Sequence, residues 1–66
     1  MSYEKGIQRR KERIQKLKQM LTDNPNEPLK KILAQFCVET GVDLRTAQKY
    51  YRLLVQAEAV KPHPQH

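Results

Sequence analysis

The 66-residue sequence has one cysteine, no tryptophan and no long apolar run. A single cysteine cannot form an internal disulfide, and no stretch approaches the ~20 apolar residues that span a bilayer. No segment has the hydrophobic centre of a signal peptide either. We therefore expect a cytoplasmic protein that makes no membrane contact.

The residues that build catalytic and metal sites are also scarce. The chain is 38% hydrophobic, which is enough for one small helical core but not for a deep cleft. It has no glycine-rich phosphate loop and no carboxylate pair, and His63 and His66 are too few to hold a metal ion. Cys37 is expected to be a small buried hydrophobe. The sequence therefore predicts no enzymatic activity, cofactor, metal or small-molecule substrate.

Positive charge, by contrast, is in excess. Thirteen lysine and arginine residues stand against seven acidic residues, which gives a net charge of +6 and a pI near 9.8. Such a balance attracts polyanions, among them the phosphates of nucleic acids. Charge alone does not say which polyanion is bound.

Three segments have the apolar spacing of amphipathic helices, at about 2–22, 28–39 and 44–59. A polar, proline-containing turn separates the first two. The inner faces are predicted to carry Ile14, Leu17 and Leu21 in the first helix; Leu29, Ile32, Leu33, Phe36 and Cys37 in the second; and Ala47, Leu54, Ala57 and at least one of Tyr50 and Tyr51 in the third. Phe36, the only phenylalanine, is the expected centre of packing.

The junction Thr40-Gly41-Val42-Asp43 is the most informative local signal. Gly41 adopts a left-handed conformation at low cost and so ends one helix, whereas Asp43 caps the backbone N–H groups that open the next. Val42 is an apolar residue in a polar turn, as expected if it fills the angle between two packed helices. The junction predicts a helix-turn-helix.

Residues 1–60 are predicted to form a single domain, because a chain this short has room for only one core. Residues 61–66 contain two prolines and no apolar residue, so they are predicted to be a flexible C-terminal tail.

The stretch from Gly41 to Ala47, followed by Tyr50-Tyr51, Leu54 and Val60, resembles the helix-turn-helix core of winged-helix DNA-binding domains from bacterial and archaeal transcription regulators. The resemblance covers roughly residues 7–60. In that family a glycine commonly lies near the position of Glu58, and a β-hairpin wing follows it. Here residues 58–60 favour a helix and too few residues follow for a wing. We therefore expect an all-α, three-helix helix-turn-helix bundle that is winged-helix-like but has no full wing.

The resemblance implies that the helix after the turn enters the major groove of double-stranded DNA. The residues that it places on the recognition helix are Arg45, Thr46, Gln48, Lys49 and Arg52. Arginine pairs well with guanine and glutamine with adenine, so we expect Arg45 and Gln48 to read bases. The other three are expected to position the helix on the backbone.

Two further groups of cations are candidates for phosphate contacts. Lys30 and Lys31 lie near the start of the second helix, and the first helix carries a dense basic cluster that includes Arg9, Arg10, Arg13 and Lys16. The cluster is equally consistent with a solvated helix face on which Glu12 pairs with Lys16.

These patterns predict sequence-specific binding of double-stranded DNA, in transcription regulation or in DNA replication and maintenance. If the protein is a repressor, a homodimer is expected, because two recognition helices ~34 Å apart match one turn of DNA. The first helix offers the only obvious pairing surface, through Ile7 and its neighbours. One alternative is a protein-interaction module of a replication or transcription assembly. It would be favoured if Leu44, Val55 or Met20 formed an exposed patch with a tyrosine while the cations scattered. The other alternative is a basic RNA-binding domain, which would prefer RNA over duplex DNA.

Overall fold

The computed structural model describes residues 2–63, and the side chains from Arg9 onward. It has three helices: α1 (Ser2–Asp23), α2 (Leu29–Thr40) and α3 (Leu44–Gln56). The described residues contain no strand. The predicted all-α, three-helix fold is therefore confirmed, and each helix packs against both others.

The core lies between the three helices and is built from the predicted apolar stripes. Its ten buried residues are Leu17, Leu21, Leu29, Ile32, Leu33, Phe36, Val42, Ala47, Tyr50 and Leu54. Phe36 has no exposed surface and meets Tyr50 edge-on, with ring centroids 6.4 Å apart. Phe36 is thus central, as predicted, and Tyr50 is the fully packed member of the tyrosine pair. Tyr51 is half-buried.

The packed part of α1 is its second half. The side chains from Arg9 to Glu12 are all exposed, and packing begins with the half-buried Arg13 and Ile14. The turn that contains Arg9 to Glu12 therefore extends beyond the core. Ile7, which the sequence suggests as part of a pairing surface, lies outside the residues whose side chains are described.

The corner between α2 and α3 has the predicted geometry at its glycine. Gly41 has φ +77° and donates its N–H to the Cys37 carbonyl at 2.8 Å. The Thr40 hydroxyl donates to the Phe36 carbonyl at 2.7 Å and accepts the Val42 N–H at 3.3 Å. Val42 is buried in the core, so it does fill the angle between the helices. These contacts fix the direction in which α3 leaves the corner.

The predicted cap by Asp43 is not formed as expected. Asp43 has extended backbone at the N-cap position, but its carboxylate does not meet the backbone N–H groups of α3 with the geometry of a cap hydrogen bond. The Asp43 carbonyl accepts the Ala47 N–H at 3.0 Å. The hydroxyl of Thr46, in the first turn of α3, lowers the pKa of the Asp43 carboxylate, and the Thr46 N–H is close enough only to lower that pKa further.

The third helix ends at Gln56, three residues before the predicted end. The Ala59 N–H donates to the Leu54 carbonyl at 2.9 Å and the Glu58 N–H to the Val55 carbonyl at 3.0 Å. These two bonds make a Schellman motif with Glu58 in the left-handed position, at φ 57°. Glycine usually fills this position, so the helix-favouring composition of 58–60 was misleading. Ala57, predicted to point inward, is exposed.

Glu58→Gly is therefore expected to stabilise the protein by roughly 0.5–1 kcal/mol, because glycine has no Cβ to strain a positive φ. Urea unfolding followed by circular dichroism measures the difference. Glu12→Gly, in exposed regular helix, is the matched control and should destabilise by about 1 kcal/mol. If both variants are destabilised alike, Glu58 is not strained.

Residues 61–63, predicted to belong to a flexible tail, return to the bundle. The His63 N–H donates to the Tyr51 hydroxyl at 3.0 Å. The imidazole Nε2 lies 2.9 Å from the Leu21 carbonyl oxygen and 3.1 Å from that of Asn24, both at the end of α1. The chain after α3 thus ties α3 to α1. Residues 64–66 of the predicted tail lie outside the described residues.

His63→Ala is expected to cost about 1–2 kcal/mol of unfolding free energy, since it removes the ring contacts with the end of α1. Tyr51→Phe, which removes only the hydroxyl acceptor, should cost about 0.5–1.5 kcal/mol. Lys61→Ala is the control, because Lys61 is exposed and the His63 ring meets only its backbone carbonyl. Equal unfolding midpoints for His63→Ala and Lys61→Ala would contradict a tie through the imidazole.

Candidate nucleic-acid interface

The outward face of α3 carries most of the residues that the sequence placed there. Ala47, Tyr50 and Leu54 turn the opposite face into the core. As a result Arg45, Lys49 and Arg52, spaced by four and three residues, share the exposed side. Gln48 is exposed beside them, whereas Thr46 is half-buried at the edge. The fold therefore brings four of the five side chains to one accessible surface.

Thr46 has a local partner at the start of α3. The hydrogen bond from its hydroxyl is the main reason why the pKa of Asp43 is lowered, and burial opposes the shift. The Thr46 amide and the charge of Arg45 lower the pKa further. A DNA phosphate would have to compete with Asp43 for the Thr46 hydroxyl. Thr46 is consequently better placed to hold the first turn of α3 than to bind a phosphate.

Glu39 is the second carboxylate with a lowered pKa. Lys16 lies 3.0 Å away across the α1–α2 contact, and the hydrogen bond from its ammonium is the largest cause. The charge of Lys16 and a hydrogen bond from Gln35 act in the same direction. Lys16 therefore pairs with Glu39 of α2 and not with Glu12 of its own helix.

These two shifts predict a pH dependence of stability. Because Asp43 and Glu39 have lower pKa values in the folded than in the unfolded chain, each stabilises the fold above its unfolded value, about 4. That contribution is lost as pH falls through the lower, folded value. The Asp43→Asn/Glu39→Gln double variant should therefore lose less stability below about pH 4.5 than the original chain. Urea unfolding at several pH values checks this. The prediction is wrong if the free energy of unfolding falls as steeply with decreasing pH in the double variant as in the original chain.

The two lysines of α2 have different surroundings. Lys31 pairs with Glu27 at 3.4 Å on an exposed surface. Lys30 is also exposed but lies beside α3, where it lines a groove together with Gln48 and Arg52. The structure thus joins Lys30 to the α3 face and leaves Lys31 apart from this groove.

The basic cluster of α1 is not part of that groove. Arg9 and Arg10 are exposed, Arg13 is half-buried and Lys16 is engaged by Glu39. None of these four lines the space between α2 and α3. Their predicted phosphate contacts would therefore involve a separate surface of α1.

The groove between α2 and α3, called here the α2–α3 groove, has a volume of about 600 Å³. Its lining residues are Leu29, Lys30, Leu33, Leu44, Gln48, Tyr51, Arg52 and Val55. Sequence reasoning assigned Leu29 and Leu33 to the core and did not predict a groove beside them. The available signal was the alignment of Leu44, Gln48, Tyr51 and Val55 along one side of α3.

The groove contains part of the exposed apolar patch that would favour a protein-interaction module. Leu44, Val55 and a tyrosine do come together there, although Met20 does not. Two cations, Lys30 and Arg52, line the same groove, whereas Lys31 and the basic cluster of α1 lie elsewhere. The surface beside α3 is therefore both basic and partly apolar.

Cys37 has none of the features of a nucleophile. It is half-buried, and its burial is the main reason why its pKa is raised, with the charge of Asp43 adding to the effect. A raised pKa disfavours the thiolate, which is the nucleophilic form of a cysteine. Among the described residues, no three His, Cys, Asp or Glu side chains gather to form a metal site.

No family model, curated protein or solved structure matches this chain. Within residues 2–63, none of the helices combines the length and the apolar character needed to cross a bilayer.

Proposed function

We propose that this protein binds double-stranded DNA sequence-specifically in the cytoplasm, in transcription regulation or in DNA replication and maintenance. The observation that carries the proposal is the fixed corner at Gly41, which presents the polar face of α3 to solvent. A helix presented in this way fits the major groove, which is ~12 Å wide. The 13 residues of α3 extend for about 20 Å, enough to cross it.

The side chains on this face have the chemistry that base reading requires. Arg45 and Gln48 lie in the first half of α3, the part that contacts base edges in helix-turn-helix complexes. Arginine donates two hydrogen bonds to guanine, and glutamine pairs with adenine. We assign these two residues to sequence recognition.

The neighbouring cations suit the DNA backbone. Lys49 and Arg52 follow on the same helix, and Lys30 of α2 stands on the other side of the groove. Phosphate contacts of this kind fix the register of a protein on the duplex without reading sequence. The net charge of +6 favours the approach to DNA as well.

Selection from a random duplex library, followed by fluorescence anisotropy on the enriched site, tests the proposal. We expect an enriched motif with a fixed G·C pair read by Arg45 and, close to it, a fixed A·T pair read by Gln48, and an affinity that falls with salt by about one unit of log–log slope per phosphate contact. A duplex RNA of the same sequence is the control, since its deep, narrow major groove does not admit α3. Equal affinity for all DNA sequences, or stronger binding to RNA, would contradict the proposal.

A further inference from the structure

The α2–α3 groove has more apolar surface than DNA binding requires. Five of its eight lining residues are apolar or aromatic. Leu44 is 51% exposed and lies at this groove with the half-buried Tyr51 and Val55. Leu29 and Leu33 are already packed in the core, so the accessible apolar groups are those of Leu44, Tyr51 and Val55. Phosphates and base edges are bound mainly by polar and charged groups, so a bound duplex would leave these three side chains largely without apolar partners.

The charges at the groove have one sign. Lys30 lies on α2 and Arg52 on α3, both exposed, and no acidic residue lines the groove. An occupant that satisfies the whole surface must bring apolar side chains for the lining and negative charges for the two cations. A DNA duplex supplies the negative charges but, apart from the methyl groups of thymine, little apolar surface in its major groove.

We propose that the α2–α3 groove binds an acidic amphipathic helix of a partner protein. Apolar residues at helical spacing on one face of that helix would contact Leu44, Tyr51 and Val55. Its carboxylates would meet Lys30 on one side and Arg52 on the other. Grooves between helices commonly bind partners in this way. The described residues offer no strand edge on which an extended peptide could add.

A second copy of this chain fits the groove less well. Each copy carries a charge of +6, and none of the residues lining the groove is acidic to meet the Lys30 and Arg52 of another copy. Burying these cations against a second basic surface would leave them unpaired. The charge complementarity therefore selects an acidic partner.

The same surface would make partner binding and DNA binding mutually exclusive. Gln48 and Arg52 line the groove and also belong to the face of α3 assigned to DNA. This mutual exclusion rests on the proposed DNA-binding function. Binding of the partner helix in the groove does not depend on that function. The two parts can be measured separately.

The probe is a 16-residue helical peptide with leucines at i, i+3, i+7 and i+10 and glutamates on either side of them. It is titrated into the full isotope-labelled chain while amide chemical shifts are recorded. We expect saturable shifts around Leu44, Gln48 and Val55. A peptide with serines in place of the leucines has the same charge and should bind at least about tenfold more weakly, because it buries little apolar surface.

Two exposed leucines of α3 provide matched variants. Leu44 is 51% exposed and lines the groove, whereas Leu53 is 49% exposed and does not. Leu44→Gln should weaken peptide binding at least about threefold, and Leu53→Gln should change it less than about twofold. Lys30→Glu, at an exposed position, gives the same test if Leu44→Gln fails to fold.

The outcomes separate the two proposals. Equal binding of the leucine and serine peptides, no binding of either, or equal effects of Leu44→Gln and Leu53→Gln would overturn the groove as a protein site. The proposal would also be overturned if duplex DNA, and not the peptide, shifted the amide signals of the groove and if Leu44→Gln weakened that DNA binding. If the peptide binds but DNA does not, the groove proposal is supported and the DNA proposal fails. If both bind without displacing each other, the mutual exclusion is overturned.

Discussion

Phe36→Ala is expected to lower the free energy of unfolding by about 3–5 kcal/mol, the usual cost of removing a buried aromatic ring. Phe36 has no exposed surface, packs edge-on against Tyr50 and lies among residues from all three helices. A chain of 66 residues has only about 3–10 kcal/mol of stability in total. The substitution should therefore remove at least about a third of the stability of the fold, and all of it at the lower end of that range.

Thermal and urea unfolding followed by circular dichroism measure this effect. Val38→Ala is the control on the same helix, because Val38 is 84% exposed and should change stability by less than about 0.5 kcal/mol. A Tm for Phe36→Ala equal to that of Val38→Ala would show that the bundle does not depend on this ring.

The Arg45→Ala/Gln48→Ala double variant is expected to lose most of its preference for the selected DNA site. Each base contact is worth about 1–3 kcal/mol, so the two together correspond to a loss of specific affinity of at least about 25-fold. Both side chains are exposed and outside the core, so the fold should be retained. Binding to unrelated duplexes should weaken much less.

Lys49→Ala is the comparison that distinguishes sequence recognition from general electrostatic attraction to DNA. It removes an exposed cation from the same face, so it should weaken binding to all duplexes alike and reduce the salt slope by about one. Anisotropy titrations with the selected site and with a scrambled site distinguish the two patterns. If the double variant behaves like Lys49→Ala, these residues contribute charge or packing and not sequence recognition.

The parts of the fold that depend on local chemistry could be predicted from the sequence. Gly41 is required where the backbone turns left-handed, and Val42 had to be buried if the two helices packed at this corner. The stripe that contains Phe36 follows directly from helical spacing. The pair Tyr50-Tyr51 could not be resolved this way, since adjacent residues differ by only 100° around a helix.

The end of α3 and the segment after it depend on nonlocal contacts. Glutamate favours helices, so nothing in the residue type places Glu58 in a left-handed conformation. The burial of Ala59 and Val60 against the core accompanies that turn. His63 meets carbonyl groups of Leu21 and Asn24, about forty residues earlier in the chain. Such contacts have no signature in local sequence, and two prolines nearby suggested a free tail.

The candidate site was predictable in its polar part and not in its apolar part. The exposure of Arg45, Lys49 and Arg52 follows once Ala47 and Leu54 are assigned to the core. Whether the side of α3 facing α2 is closed or open depends on how the two helices cross, which spacing alone does not determine. The α2–α3 groove, and with it the position of Lys30, required the structure.

The most direct test of the DNA-binding account is an amide chemical-shift titration of the full chain with a mixed pool of duplex DNA at two salt concentrations. The account predicts that residues 44–52 shift at both concentrations, with weaker binding at the higher one. Shifts confined to the basic surface of α1, or an unchanged α3 at saturating DNA, would contradict it.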